Sequence, residues 1–363
     1  MPAATPASHS LDLSRIAAPM VGQSDLPFRL LVRRYGASLA YTQMLLPDRL
    51  LSDPDYLAFH TRGLREGDDR PVVVQLCGND PETVVRAART VVHRADAIVD
   101  GGRRADLNLG CPQDAAREAH YGGYLLGQKD WPLVESIVSA LSHSLPVPVS
   151  CKVRLTPDPA HTPMLGARLE AAGASWLTLH ARQVSARRRR QGAADLAYVG
   201  ALRSAVHVPV VSNGNVRTWE DIGRNLEETK ADGVMVGEEL LANPCLFADK
   251  VPDPVKISLE YLALVEEHPE TATMQTVQMH VRHFIEKKCG RRPWFTKFRM
   301  ALARTETPAD IVRLLRVRVQ RWRGLPPLEH DRWSSDSKDD DDEHEDGPRE
   351  EAEDLSGLGL WDL

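Results

Sequence analysis

Eight short, apolar, β-prone runs recur along the chain, each separated from the next by a stretch of helical character. They are RIAAPM (15–20), SLAYTQM (38–44), PVVVQLCG (71–78), ADLNLGC (105–111), PVPVSCKVRL (146–155), SWLTLHAR (175–182), VPVVSNGN (208–215) and DGVMVGE (232–238). Segments such as DPETVVRAARTVVHR, WPLVESIVSALSH and WEDIGRNLEETK lie between them, most with apolar residues at the i, i+3, i+4 spacing of one helix face. Strands alternating with such helices predict a parallel sheet covered by helices, and eight units predict closure into a (β/α)₈ TIM barrel, an α/β fold. An open doubly wound sheet competes, but no GxGxxG follows the first run. The pattern is weakest at the second helix and over 183–194.

These patterns divide the chain into a lead-in (1–12), a barrel (13–252), a helical domain (253–328) and a disordered acidic tail (329–363). Amphipathic runs near 274–288 and 308–321 mark the helical part. The tail contains SSDSKDDDDEHEDGPREEAED, too polar to bury. The net charge of −6 hides an asymmetry: residues 331–363 hold 14 acidic and three basic side chains, leaving the rest of the chain at +5. Residues 280–329 carry 13 Lys or Arg against four Asp or Glu. A segment of that kind can follow a polyanion by releasing its counterions. On charge alone, a solvated helical face explains it equally well.

Five widely spaced cysteines, none in a CxxC pair, indicate neither a disulfide framework nor a zinc site and suit a reducing compartment. No run of about 18 apolar residues predicts a membrane span. MPAATPASHSLDLS resembles neither a signal peptide nor a transit segment. The expectation is a cytoplasmic monomer, with the nucleus open as a second location, and no metal or membrane partner.

A barrel of this kind builds its active site at the carboxyl ends of its strands. Unusual residues gather there: Pro19 and Met20 after the first run, Gln75 on the third, Asn108 and Cys111 on the fourth, Lys152 and Arg154 on the fifth. His180 ends the sixth, Asn213-Gly214-Asn215 the seventh and Gly237-Glu238 the eighth. Each alone has a structural explanation, turn chemistry for Asn-Gly or core packing for His180. Lys152 lies in an apolar strand, where an ammonium needs an anionic partner, and the N1–C2=O edge of a reduced flavin is one. Gln75 can bond a flavin pyrimidine edge through both its donor and its acceptor. The last two strand ends form the usual phosphate corner of this fold, where glycines let backbone N–H groups approach an anion. Cys111 sits between Gly110 and Pro112 at the mouth, whereas Cys151 alternates to the other face of its strand and Cys77 is expected to point away. A mouth thiol can act as a general acid, and a nucleophilic role stays open.

APMVGQSDLPFR (18–29), YTQM (41–44), QLCGNDPE (75–82), DLNLGCPQ (106–113), CKVR (151–154), SNGN (212–215) and DGVMVGEELLANPCLF (232–247) resemble the tRNA-dihydrouridine synthases, in particular the eukaryotic branch acting on uridines 16 and 17. The likeness covers about 14–250; the helical part resembles that family's RNA-binding domain only in position and helicity. It implies a two-step reaction: NADPH (or NADH) reduces FMN, then hydride passes to C6 of a flipped uracil while Cys111 protonates C5. It further implies that Pro19, Met20, Gln75, Lys152, His180, Asn213, Gly214, Asn215, Gly237 and Glu238 hold FMN and that Asn108 and Arg154 line the uracil side. Lys287, Lys288, Arg291, Arg292, Lys297 and Arg299 would grip the tRNA. Flipping costs a few kcal/mol, least in an already strained loop.

Departures from the family pattern are Ala119 where Gly is usual, HARQ (180–183) followed by RRRR (187–190), an insertion IVDGGRR (98–104) whose GGRR suggests flexible surface, and Gln43 in place of Glu. Ala119 and Gln43 bear on loop closure and tRNA docking. Two other classes fit part of the pattern: an FMN barrel oxidoreductase acting on a small molecule, and a tRNA-binding protein without catalysis.

Overall fold

The computed structural model describes residues 11–64, 67–92, 103–184 and 192–328. Eight parallel strands close in sequence order: β1 (Arg15–Ala17), β2 (Leu39–Tyr41), β3 (Val72–Leu76), β4 (Arg103–Leu109), β5 (Val149–Leu155), β6 (Trp176–Gln183), β7 (Val210–Asn213) and β8 (Gly233–Val236). β8 returns to β1, placing Ile16 opposite Met235 and Ala17 opposite Val236. Every one of the eight apolar runs holds a strand.

The barrel helices are α1 (Leu26–Arg34), α2 (Pro47–Ser52), α3 (Pro54–Arg62), α4 (Pro81–Val92), α5 (Asp114–Glu118), α6 (Trp131–Ser144), α7 (Thr162–Ala171), α8 (Ala197–Ala205), α9 (Trp219–Thr229) and α10 (Glu238–Ala242). The second connection is weak in the sequence pattern because it is two short helices, split at Asp53. That carboxylate accepts from Tyr56 N at 2.9 Å and caps α3, whose first residue is Pro54. In the stretch 183–194, Gln183 ends β6, and residues 185–191, including the RRRR run, lie outside the described residues.

Alternation along each strand separates an outer core from an axial set. Leu107 and Leu109 of β4 and Cys151 and Val153 of β5 pack with Val134, Ile137 and Leu141 of α6. Ile16, Leu39, Tyr41, Val73, Trp176, Val211 and Met235 fill the axis as one buried cluster, so the barrel is a packed core closed at one end. Of the insertion, residues 98–102 lie outside the described residues, and Arg103 does not fit the flexible-surface expectation for GGRR. Its guanidinium is buried and donates to Val91 O (2.9 Å) and Leu64 O (2.6 Å), stapling the start of β4 to the end of α4.

The chain continues into α11 (Pro254–Glu267), α12 (Met274–Cys289), α13 (Phe295–Ala303) and α14 (Pro308–Arg313), which runs on through a π-type turn at 314–319. Their apolar faces merge with α1 and α10 in one cluster that includes Phe28, Leu31, Leu240, Tyr261, Phe284, Phe298 and Leu315. Inside this seam, His280 Nε2 lies 2.7 Å from Asp25 Oδ2, and Tyr261 OH donates to Asp25 Oδ1 at 3.2 Å. The His280 ring stacks on Phe28 at 4.5 Å. Asp25 also caps α1 by accepting from Phe28 N at 3.0 Å, so one carboxylate fixes both layers. Burial pushes this carboxyl up, but His280 and the Phe28 N–H outweigh it and hold its pKa below the usual value. Residues 1–10 and 329–363, hence most of the lead-in and the acidic tail, lie outside the described residues.

Candidate active site

Cys111 is held at the barrel mouth by the residue three before it. Asn108 Oδ1 accepts from Gly110 N (3.0 Å) and Cys111 N (2.9 Å), which turns the chain sharply as it leaves β4. The amide of Asn108 donates to Gln75 Oε1 (2.8 Å), and Gln75 Nε2 donates to Asp106 Oδ2 (2.8 Å). Asp106 Oδ1 accepts from Ser150 Oγ at 2.5 Å. Gln75 therefore keeps one donor and one acceptor site for a ligand, and Asn108 keeps one N–H.

Two glycines let the following loop fold back over the cysteine. Gly123 N donates to Cys111 O at 3.1 Å, and a Cβ on Gly123 would fall 2.5 Å from Val184 Cγ2. Gly122 has φ +65, and its Cβ would lie 3.0 Å from Cys111 Cβ. Cys111 is buried, with Sγ 3.6 Å from Gln113 Oε1. Cys77 does not point away as expected; it packs in one small cluster with Cys111, Met44 and Tyr121. Burial pushes the Cys77 thiol well up, so it stays protonated and apolar. Ala119 takes an ordinary φ of −88, and the left-handed position falls on His120 (φ 52). Asn79 Nδ2 holds that turn through Ala119 O (3.0 Å) and His120 O (3.1 Å). No glycine is needed at 119. Gln43 Oε1 accepts from Gly22 N, and Gln43 Nε2 lies 3.4 Å from His60 Nε2, linking the β1–α1 turn to α3.

The β5–β6 wall supplies the charge. The Lys152 ammonium makes no hydrogen bond or ion pair with a described residue. Burial and then Arg154 lower its pKa to about 8, against the pull of Asp106 and Cys111. Burial, then Lys152, Arg154 and Arg182, lower His180 to about 2, so its ring is neutral. Burial raises Asp106 to about 6 despite donors Ser150 and Gln75. Arg154 Nη1 donates to Gln183 O at 3.1 Å. An ammonium with no acceptor among the described residues, in a largely desolvated wall, calls for an anionic ligand.

The β7–β8 corner presents backbone rather than side chains. Asn213 Nδ2 donates to Met235 O (2.8 Å), while Asn215 embraces Ala194, accepting from its N (2.8 Å) and donating to its O (2.7 Å). Gly214, at φ +134, packs so tightly that a Cβ would sit 2.6 Å from Ala194 Cβ. Gly237 precedes α10 and would place a Cβ 3.5 Å from Met20 Sδ, so the turn after β1, which carries Pro19, adjoins this corner. Glu238 is the exposed first residue of α10.

The six basic residues of the helical layer do not behave alike. Arg291, Arg292 and Lys297 are exposed, and Lys297 also lies over the Trp322 ring at 5.8 Å. Lys287 is ion-paired with Glu239, Lys288 lies 3.5 Å from Val251 O, and Arg299 is half-buried. A separate cleft, lined by Gln43, Phe59, His60 and Thr273, lies beside the β1–α1 turn rather than at the cysteine. Among the described residues no helix is long and apolar enough to cross a membrane, and no three His, Cys, Asp or Glu side chains gather as a metal site.

Residues 15–319 match the family model described as dihydrouridine synthase (Dus). The chain belongs to the dihydrouridine synthase family. It is 39% identical over 254 residues to a mouse protein named tRNA-dihydrouridine(16/17) synthase-like, covering 70% of this chain and 52% of that one. A Saccharomyces cerevisiae tRNA-dihydrouridine(16/17) synthase is 36% identical over 301 residues, covering 80% of this chain and 69% of the yeast protein. The chain thus spans about half the length of the rodent relatives it matches. A solved 2-naphthoyl-CoA reductase shares the fold at a TM-score of 0.50 and 10% identity, over 64% of this chain and 49% of that one. In this family member, sequence reasoning overlooked Asp106 and the Gly122-Gly123 pair. Both had a signal: a carboxylate inside an apolar strand, and a double glycine close behind the cysteine.

Proposed function

We propose that this synthase-family chain reduces uridine to 5,6-dihydrouridine in tRNA, at D-loop positions 16 and 17, with FMN as resident cofactor and NADPH or NADH as electron donor. The fit of FMN rests on three features of the site. Lys152 is a half-buried cation without an acceptor among the described residues, Gln75 retains one donor and one acceptor, and Asn213 and Asn215 spend their amides within the protein and leave backbone at the β7–β8 corner. Pro19, Met20 and neutral His180 flank the same mouth, and the backbone at 213–215 and 237–238 offers N–H groups for a phosphate. When bound, FMN supplies the hydride that reaches C6 of the uracil ring.

The chain's own residues do the rest. Cys111, fixed through Asn108, delivers its thiol proton to C5 as general acid. Arg154 and the remaining Asn108 N–H orient the base. The loop at Gly122-Gly123 lies over the cysteine and limits water at the mouth. Residues 13–252 act as the catalytic body and 253–328 as the tRNA-binding part, engaging through Arg291, Arg292 and Lys297. The basic character of 280–329 favours a polyanionic substrate over a free pyrimidine or enone. The chain works as a monomer in a reducing, cytoplasmic setting.

The observation that carries this reading is the cysteine pinned at the mouth beside a half-buried lysine whose ammonium has no partner among the described residues. Cys111→Ala tests it: the variant keeps its flavin spectrum and loses dihydrouridine formation by about 10²-fold or more. Undiminished turnover would remove Cys111 as the acid.

A further inference from the structure

Beneath Cys111 the hydrogen bonds run in one direction. The backbone N–H groups of Gly110 and Cys111 donate to Asn108 Oδ1, Asn108 donates to Gln75, and Gln75 donates to Asp106. A second branch enters from the barrel floor: Ser150 Oγ donates to the other Asp106 oxygen, and Tyr41 OH, 3.4 Å from Ser150 Oγ, takes the Trp176 indole N–H at 3.1 Å. Both branches end on one carboxylate, fully buried on β4. An ionised carboxylate is the only side chain here that accepts at both oxygens and donates at neither.

We infer that Asp106 sets the direction of this relay and is thereby a positioning residue for Cys111 and for the Gln75 amide, in the reaction proposed above. The primary amides of Gln75 and Asn108 are each nearly symmetric in shape, so packing alone does not choose between their two orientations. Asp106 chooses. If Gln75 were reversed, its Oε1 would face the carboxylate and its NH₂ would face the NH₂ of Asn108. Reversing Asn108 to relieve that clash would present NH₂ to two backbone donors, Gly110 N and Cys111 N. Buried polar networks tolerate such mismatches poorly, because each orphaned group has lost its water. Either orientation leaves Gln75 one free donor and one free acceptor, and the carboxylate fixes which position carries which. The Ser150 branch is different, because a hydroxyl can rotate, and Ala105 O lies within 3.5 Å as an alternative acceptor.

The inference is tested by moving the charge along the relay. Asn108→Asp alone places acceptors on both sides of Gln75 and removes the donor that holds its Oε1. Adding Asp106→Asn reverses the polarity without orphaning a group. The new amide at 106 donates to Gln75 Oε1 and still accepts from Ser150. Gln75 Nε2 donates to the new carboxylate at 108, which continues to hold Gly110 N and Cys111 N.

Two readouts are followed. One is the rate at which iodoacetamide alkylates Cys111 in the cofactor-free protein, by peptide mass spectrometry. The other is single-turnover uridine reduction in tRNA by the FMN-loaded protein. Asn108→Asp is expected to change alkylation at least about fivefold and to slow reduction at least about tenfold; the double variant brings alkylation back within about threefold of wild type, while its reduction stays slowed, because the reversed Gln75 amide exchanges donor and acceptor toward the flavin and position 108 has lost its N–H. Folding of the double variant where Asn108→Asp fails to fold is the same rescue. A double variant no better than Asn108→Asp, in reactivity or in folding, overturns the inference. Rescue of alkylation with no tRNA reduction by any form, wild type included, leaves the positioning role standing and removes the proposed reaction.

Discussion

Replacing Lys152 with methionine removes an ammonium that meets no acceptor among the described residues and keeps a side chain of similar length. Its pKa falls from 10.5 to about 8, with burial the main cause and Arg154 the next. At about 1.4 kcal/mol per unit, that shift corresponds to roughly 3 kcal/mol of lost stability at pH 7. Solvent reaching the half-buried side chain trims the figure to about 2 kcal/mol. The sign follows from linkage. Between pH 8 and 10.5 the unfolded chain binds the extra proton, so the lysine's penalty is absent above 10.5 and complete below 8. Cofactor-free Lys152→Met is therefore more stable than wild type by about 2 kcal/mol at pH 7, and the gap closes toward zero by about pH 10. Urea denaturation of both proteins at the two pH values measures it. The same variant fails to retain FMN on gel filtration, because the anionic ligand has lost its counter-charge. A variant less stable than wild type at pH 7, or a gap that ignores pH, would refute the view that this lysine is held for a ligand.

The seam between barrel and helical layer yields a second expectation. Asp25→Ala costs roughly 3–5 kcal/mol, since it strands His280 and uncaps α1, whereas Asp25→Asn, still a good cap, costs about 1 kcal/mol in urea denaturation. Equal losses in the two variants would mean that burial rather than the hydrogen bonds matters there. Arg291→Ala, Arg292→Ala and Lys297→Ala combined should flatten the salt dependence of tRNA binding by about two to three charges. Bleaching of bound flavin by NADPH should be unchanged, and an unaltered salt slope would move the tRNA face elsewhere.

The barrel was legible because strand and helix periodicities alternate eight times, a pattern set by burial on each face. The cysteine, the lysine and the glycine corner were legible because each residue type is costly or unusual at a strand end. The division of labour among polar side chains was not. Asn215 reads as a phosphate contact, yet its amide holds Ala194; Asn108 reads as a uracil contact, yet most of its hydrogen-bonding capacity builds the Cys111 turn. Amide partners in a barrel come from strands 20 or more residues apart, as with Gln75 and Asn108, and no local spacing encodes them. Arg103 misled for a related reason. A charged pair beside two glycines reads as surface, and only the packing of β4 against α4 and the turn after α3 reveals two buried carbonyls awaiting donors.

In the proposed reaction, reducing equivalents pass through a bound flavin to uridine in tRNA. The direct test is to load the purified protein with FMN, bleach it anaerobically with NADPH, and follow reoxidation on adding unmodified tRNA. Flavin absorbance that returns with tRNA, in step with dihydrouridine formation and not with free uridine, is the predicted result. A flavin that bleaches and then ignores tRNA would contradict the account and leave a barrel reductase of some smaller substrate.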